Sequence, residues 1–90
     1  MNDELSALPP PRRIDVRFFA ALREQAGCAA VTVETRARDA DALYAELQLR
    51  HGLAVPAAWL RVAVNDRYAR LHDPLQEGDR VVFIPPVAGG

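Results

Sequence analysis

Lysine is absent from this 90-residue sequence, whose 11 basic side chains are all arginine and are set against 12 acidic ones. The formal net charge of −1 gives no basic surface of the kind that binds nucleic acid or an anionic membrane. No hydrophobic run approaches the ~20 residues needed to span a bilayer, and the polar N-terminus is unlike a signal peptide. We therefore expect a cytoplasmic protein that binds neither nucleic acid nor membrane.

Side chains for nucleophilic catalysis or metal binding are equally scarce. The only serine is Ser6, and the only cysteine, Cys28, has no partner for an internal disulfide, which agrees with a reducing compartment. His51 and His72 lie at a predicted helix end and a predicted turn, with no motif that links them. A nucleophile needs an adjacent base, and one cysteine with two histidines falls short of a structural zinc set. The sequence thus predicts no catalytic side chain and no metal site.

Hydrophobic periodicity predicts where the folded domain begins. Residues 1–13 carry three consecutive prolines and no periodicity, so we expect an extended or disordered leader there. Ile14, Val16 and Phe18 then recur at every second position, as in a strand with one face in the core, and Phe19 falls on the opposite face. The next stretch, "AALREQAG", predicts a short helix that ends at its glycine, and "VTVE" predicts a second strand paired with the first.

The second half of the chain predicts the main helix and the remaining strands. Asp39 is expected to cap a helix that continues to about Arg50 and buries Leu47. The segments "RVAVN", "RYARL" and "RVVFI" predict three further strands, and Trp59 is expected to close one edge of the core. The economical arrangement is an α+β domain over residues 14–84, in which one main helix packs on a mixed sheet of four to five strands.

The chain ends in "PPVAGG", residues 85–90, and the carboxyl group of Gly90 is the remaining reactive group. Because glycine has no Cβ, a Gly-Gly end can enter a narrow channel that any side chain would block, and it can present its carboxylate to another protein's catalytic groups. We expect residues 85–90 to form a flexible tail that is stiffened at its base by the prolines and reaches about 20 Å at ~3.3 Å per residue. The alternative is a frayed terminus without function, as most chain ends are.

Alternation along "RVVFI" places Val81 and Phe83 in the core and Ile84 outside it, immediately before the tail. The same alternation places the Phe19 side chain on the face of the sheet that points away from the core. If the first and last strands are neighbours, Phe19 and Ile84 form an exposed apolar patch at the root of the tail, which is typical of a docking surface. The alternative is a pair of scattered surface residues of a common kind.

Three parts of this sequence together resemble the small subunit of molybdopterin synthase: "VRFFAALREQAG", the capped helix and "VAVNDRYARLHDPLQEGDRVVFIPPVAGG". The resemblance covers roughly residues 14–90, and the ending "PPVAGG" is its most specific element. It implies a ubiquitin-like β-grasp fold. The leader and the absence of lysine depart from the family pattern, and neither departure changes the sequence of the tail.

The resemblance also implies that this chain carries sulfur while other proteins supply the catalysis. An ATP-dependent adenylating enzyme would use ATP and Mg²⁺ to activate the Gly90 carboxylate, and a sulfur donor would convert it to a thiocarboxylate. The tail would then enter the large subunit of a heterotetrameric synthase and pass sulfur to cyclic pyranopterin monophosphate. Gly90 would carry the reacting atom and Gly89 would allow passage, and this chain would bind no cofactor. The other tail residues would act as a leash: Pro85, Pro86, Val87 and Ala88.

The resemblance assigns Phe19, Tyr68 and Ile84 to the surface that faces the partner, which for Phe19 and Ile84 agrees with the alternation. Other functions of the same fold stay open. Related carriers supply sulfur for thiamine or cysteine biosynthesis, although the double proline and "FFAALRE" favour molybdopterin. A ubiquitin-like protein modifier and a plain interaction module with an inert tail are the remaining alternatives.

Overall fold

The computed structural model describes residues 10–86, which form a five-stranded sheet with the strand order β2-β1-β5-β3-β4. The predicted α+β class and mixed sheet are confirmed. The first strand begins at Arg12, two residues before the Ile14 at which the sequence placed the start of the domain. In chain order the elements are β1 (Arg12–Phe18), α1 (Ala20–Ala26), β2 (Ala30–Thr35), α2 (Ala40–His51), a 3-10 turn (Ala57–Trp59), β3 (Arg61–Val64), β4 (Arg67–Ala69) and β5 (Arg80–Ile84).

The first and last strands of the described chain are neighbours in the middle of the sheet. β1 pairs antiparallel with β2 and parallel with β5, and the parallel register aligns Val16 with Val81 and Phe18 with Phe83. β5 in turn pairs antiparallel with β3, which carries β4 as the outer strand. The last strand therefore lies at the centre of the sheet, with a neighbour on each side.

The inner face of the sheet follows the predicted alternation. The side chains at positions 14, 16 and 18 of β1 and at positions 81 and 83 of β5 are all almost completely buried. At about 25 cal/mol per Å² of apolar surface, a large side chain such as Phe83 contributes roughly 1.5–3 kcal/mol when it is removed from water. Burial of this one face holds the β1–β5 pair against the helix.

Helix α2 covers the inner face and has a defined signal at each end. At its start the Asp39 carboxylate accepts a hydrogen bond from the Ala42 N–H at 2.8 Å, as predicted for an N-cap. At its end Gly52 adopts a left-handed conformation with φ of 68°, and its N–H bonds to the Gln48 carbonyl. Between these caps the helix buries four side chains: Ala40, Leu43, Tyr44 and Leu47.

The hydroxyl group of the buried Tyr44 has a hydrogen-bond partner in the loop after the helix. Its hydroxyl donates a hydrogen bond to the Val55 carbonyl at 2.6 Å, and its ring lies 5.1 Å from that of Phe83 between centroids. Burial disfavours the phenolate and raises the pKa of Tyr44. The helix is thereby tied both to the loop that follows it and to the central strand.

Trp59 does not close the core, and that prediction is wrong. It lies in the 3-10 turn, where none of the three residues is buried, and 63% of its surface is exposed. The aliphatic side chains of Leu53 and Leu60 are buried on either side of this turn instead. The backbone turn sends the indole outward while its neighbours complete the core.

Two leucines of α2 provide a matched test of this packing. Leu47 is 1% exposed and Leu49 is 91% exposed, so Leu47→Ala should lower the free energy of unfolding by roughly 2–5 kcal/mol, whereas Leu49→Ala should change it by less than about 0.5 kcal/mol. Chemical denaturation of both variants measures the difference. Equal losses would show that the register of α2 is wrong.

Candidate docking site at the C-terminal strand

The outward-facing side chains of β5 meet apolar residues from the strands beside it. Val82 lies opposite Ala63 of β3, and Ala63 in turn lies opposite Tyr68 of β4. Ile84 is half-buried at the end of β5, and the exposed Phe19 directly follows β1. These five side chains, which we call the apolar patch, line one shallow depression together with Asp66: Phe19, Ala63, Tyr68, Val82 and Ile84.

The structure thus brings together the three residues assigned to the partner-facing surface. Phe19 is 53% exposed and Tyr68 is 75% exposed, and both line the same depression as Ile84. Sequence reasoning missed Ala63 and Val82, because their place in the patch depends on the pairing of β3 with β5. Alternation along one strand predicts which face of the sheet a side chain lies on, but it does not predict which side chains of other strands lie beside it.

Two local features of the backbone place the aromatic side chains of the patch. β1 ends at Phe18, and Phe19 occupies the N-cap position of α1 in an extended conformation, which directs the chain out of the sheet. The β3–β4 hairpin turns at Asn65 and Asp66, both with positive φ, as a two-residue turn of a twisted hairpin requires. This turn fixes the register that sets Tyr68 opposite Ala63.

A charged cluster lies on the same sheet face, toward the beginning of β5. Both carboxylate oxygens of Asp15 accept hydrogen bonds from Arg17 at 3.1 Å, and Arg80 approaches the same carboxylate at 3.5 Å. The bond from Arg17 is the main cause that lowers the pKa of Asp15 below its usual value. All three side chains keep a third or more of their surface in water, so the cluster forms a solvated border to the apolar patch.

Pro85 and Pro86 open the predicted tail, and they are the two of its six residues that the structure describes. Pro85 is buried and continues the inward alternation of β5, whereas Pro86 is exposed. Gly89 and Gly90, with Val87 and Ala88, lie outside the described residues. From Pro86 to the terminus an extended chain reaches about 16 Å at ~3.3 Å per residue.

The remaining candidate side chains are not brought together. His51 contacts the Phe18 ring edge-on at 5.8 Å, His72 lies 3.5 Å from Asp39, and Cys28 is half-buried in a loop. Between residues 10 and 86, no three His, Cys, Asp or Glu side chains converge on a point where a metal ion could bind. No helix in this range is both long and apolar enough to cross a membrane.

Two relatives match nearly the full length of the chain. The molybdopterin synthase sulfur carrier subunit of Escherichia coli K12 is 38% identical over 80 residues, which cover 86% of this chain and 99% of that protein. The human protein of the same name is 34% identical over 86 residues, covering 90% of this chain and 98% of its own length.

Solved structures share the fold. Haloferax volcanii SAMP1 superposes with a TM-score of 0.72 at 24% identity, covering 87% of this chain and 99% of its own. A ubiquitin from Caldiarchaeum subterraneum gives 0.57 at 17% identity over 89% of this chain and 99% of its own. The complex of subunits 1 and 2 of the Helicobacter pylori molybdopterin-converting factor gives 0.60 at 32% identity, covering 87% and 99%.

The fold is therefore a ubiquitin-like β-grasp, as the resemblance implied. The ThiS family matches residues 16–90, a range that contains the central strand, the apolar patch and the Gly-Gly end. Because this match extends over most of the sequence, the chain belongs to the ThiS family.

Proposed function

We propose that this chain carries sulfur for molybdopterin synthase on the carboxyl group of Gly90. The observation that carries the proposal is the position of the last strand, since β5 lies at the centre of the sheet and ends at the apolar patch, directly before the Gly-Gly tail. The E. coli and human relatives, both named as sulfur carrier subunits of this enzyme, support the same function. The chain is then the non-catalytic subunit of a sulfurtransferase.

The carrier's chemistry needs no side chain of its own. On an adenylating enzyme, a carboxylate oxygen of Gly90 attacks the α-phosphate of Mg²⁺-bound ATP, and pyrophosphate leaves. The acyl-adenylate is a far better electrophile than a carboxylate, so a sulfur nucleophile such as hydrosulfide attacks its carbonyl carbon and AMP leaves with the bonding electrons. The resulting thiocarboxylate is the sulfur source for cyclic pyranopterin monophosphate.

The large synthase subunit is the partner that we assign to the apolar patch. Exposed aromatic side chains such as Phe19 and Tyr68 are enriched in the cores of protein interfaces, where charged side chains are depleted and remain at the rim. The patch and the solvated cluster around Asp15 have this arrangement. The H. pylori relative is itself a complex of subunits 1 and 2, which supports a large-subunit partner.

A protein modifier is the less favoured function. SAMP1 is a structural neighbour, but at 24% identity it is evidence for the fold alone. The relatives that match at 34% and 38% identity are named for molybdopterin synthase. Thiamine and cysteine sulfur carriers differ from the proposed one in the enzyme that accepts the sulfur, so assays with that enzyme separate them.

The tail should be required for sulfur loading and not for folding. Deletion of Gly90 should abolish thiocarboxylate formation because the reacting carboxyl group moves, and Gly89→Phe should abolish it because a side chain blocks entry to a narrow channel. Intact-mass spectrometry after incubation with the adenylating enzyme, ATP, Mg²⁺ and sulfide detects replacement of one oxygen by sulfur.

Ala88→Gly is the control for this experiment, because it changes the tail without adding bulk and should load normally. Thermal melting of all three variants should match that of the unaltered chain, since the changes lie beyond the buried Pro85. Normal loading of either disruptive variant, or a large fall in melting temperature, would contradict the proposed role of the tail.

The apolar patch should contribute to affinity rather than to stability. Phe19→Ser and Ile84→Ser should each weaken binding to the large subunit, by about thirtyfold if they act as central anchors worth about 2 kcal/mol. Leu49→Ser is the control, since Leu49 is an equally apolar, exposed residue of α2 outside the patch. Isothermal titration measures all three. Unchanged affinity in the patch variants would place the docking surface elsewhere, and unfolding would place these residues in the core.

A further inference from the structure

The outer edge of β2 is an unprotected sheet edge within residues 10–86. β2 has six residues, Ala30–Thr35, and among the described strands it pairs only with β1. Its pairing with β1 runs without a bulge, and its sequence "AVTVET" contains no proline, no glycine and one charged side chain. Proteins usually protect edge strands by short length, bulges, prolines or charges. The opposite edge, β4, has only three residues.

The register identifies the backbone groups that this edge presents. The Phe18 N–H bonds to the Ala29 carbonyl, so residues 29, 31, 33 and 35 direct their N–H and C=O groups toward β1. Ala30, Thr32 and Glu34 alternate with them and direct theirs away from the sheet. The edge therefore offers three donors and three acceptors in a row, together with β-branched side chains that favour strand pairing.

We propose that β2 pairs antiparallel with β2 of a second copy of this chain, about a two-fold axis at Thr32. Only this register sets every residue whose N–H and C=O groups point away from β1 opposite another such residue. Thr32 faces Thr32 of the second copy, and Ala30 of each copy faces Glu34 of the other. Each such pair exchanges two hydrogen bonds, which gives six across the interface. A shift that sets Thr32 opposite Glu34 gives four. The interface is isologous, as two-fold dimers require.

The side chains fit the same register. On the outer face Thr32 meets Thr32, a pair that is favourable across strands, and on the inner face the half-buried Val31 meets Val33. Glu34 faces the small Ala30, whose neighbour on β1 is Arg17. The carboxylate of one copy is thereby brought toward the guanidinium of the other, and no like charges lie opposite each other. The apolar patch takes no residue from β2 and stays free for its own partner.

Two single-cysteine variants test this register directly. In a Cys28→Ser background, Thr32→Cys places two sulfur-bearing residues opposite each other with Cα atoms about 5.5 Å apart, within the range that a disulfide spans. Glu34→Cys is the matched control on the same strand and face, because its two copies are separated by about 14 Å at ~3.4 Å per residue. Under mild oxidation of the full chain, we expect disulfide-linked dimer to form at least tenfold faster for Thr32→Cys than for Glu34→Cys.

Sedimentation of the unmodified chain from about 10 μM to about 1 mM supplies a second readout, because self-association depends on concentration. We expect reversible dimer in the native chain and in Thr32→Ser, and monomer in Thr32→Lys, which places two positive charges at the axis without altering the core. A monomeric native chain, or equal crosslinking at positions 32 and 34, would overturn the proposal. Dimerisation that appears only after residues 1–9 are deleted would also overturn it, by assigning the edge to that segment.

Discussion

The parallel pairing of β1 with β5 determines most of what this molecule presents to its surroundings. It brings the first and last strands of the described chain together at the centre of the sheet, with Val16 beside Val81 and Phe18 beside Phe83. The inward side chains of both strands are buried under α2. Because the pair is buried through its inner face, its outer face is left to carry the charged cluster and the apolar patch.

A chain of 90 residues has limited means to cover both faces of a five-stranded sheet, since small domains bury a smaller share of their surface. The single long helix and the leucines of the loops complete one core on the inner face. On the other face, the charged side chains of Asp15, Arg17 and Arg80 remain partly hydrated. The exposed apolar ring of Phe19, by contrast, is stabilised when a partner removes it from water. That contrast supports our assignment of the apolar patch as the surface that a partner covers.

In the proposed function, the C-terminal tail carries the reactive group and the folded domain positions the tail. Sulfur transfer on a terminal carboxylate needs a reactive end that can enter another protein, and the β-grasp supplies a rigid base for it. Pro85 directly follows β5 and is buried, which fixes the base of the proposed tail beside the patch. The partner can then recognise the folded surface while its catalytic groups act on the tail, so the proposed function asks for no nucleophile, base or metal site on this chain.

Local sequence determined the elements and their faces, and only the tertiary structure decided which faces meet. Alternation predicted the burial of Val81 and Phe83 because it depends only on near neighbours along the chain, and the proposed role of the Gly90 carboxyl group rests on the Gly-Gly ending of the sequence. By contrast, the pairing of β5 with β3 sets Val82 opposite Ala63 in the apolar patch, and no pattern within one strand specifies that register. Trp59 lies mostly in water, although its large apolar side chain predicted a place in the core, because the turn that carries it buries its neighbours instead. Periodicity fixes the direction of a side chain relative to its own element, whereas its burial depends on what the rest of the chain packs against it.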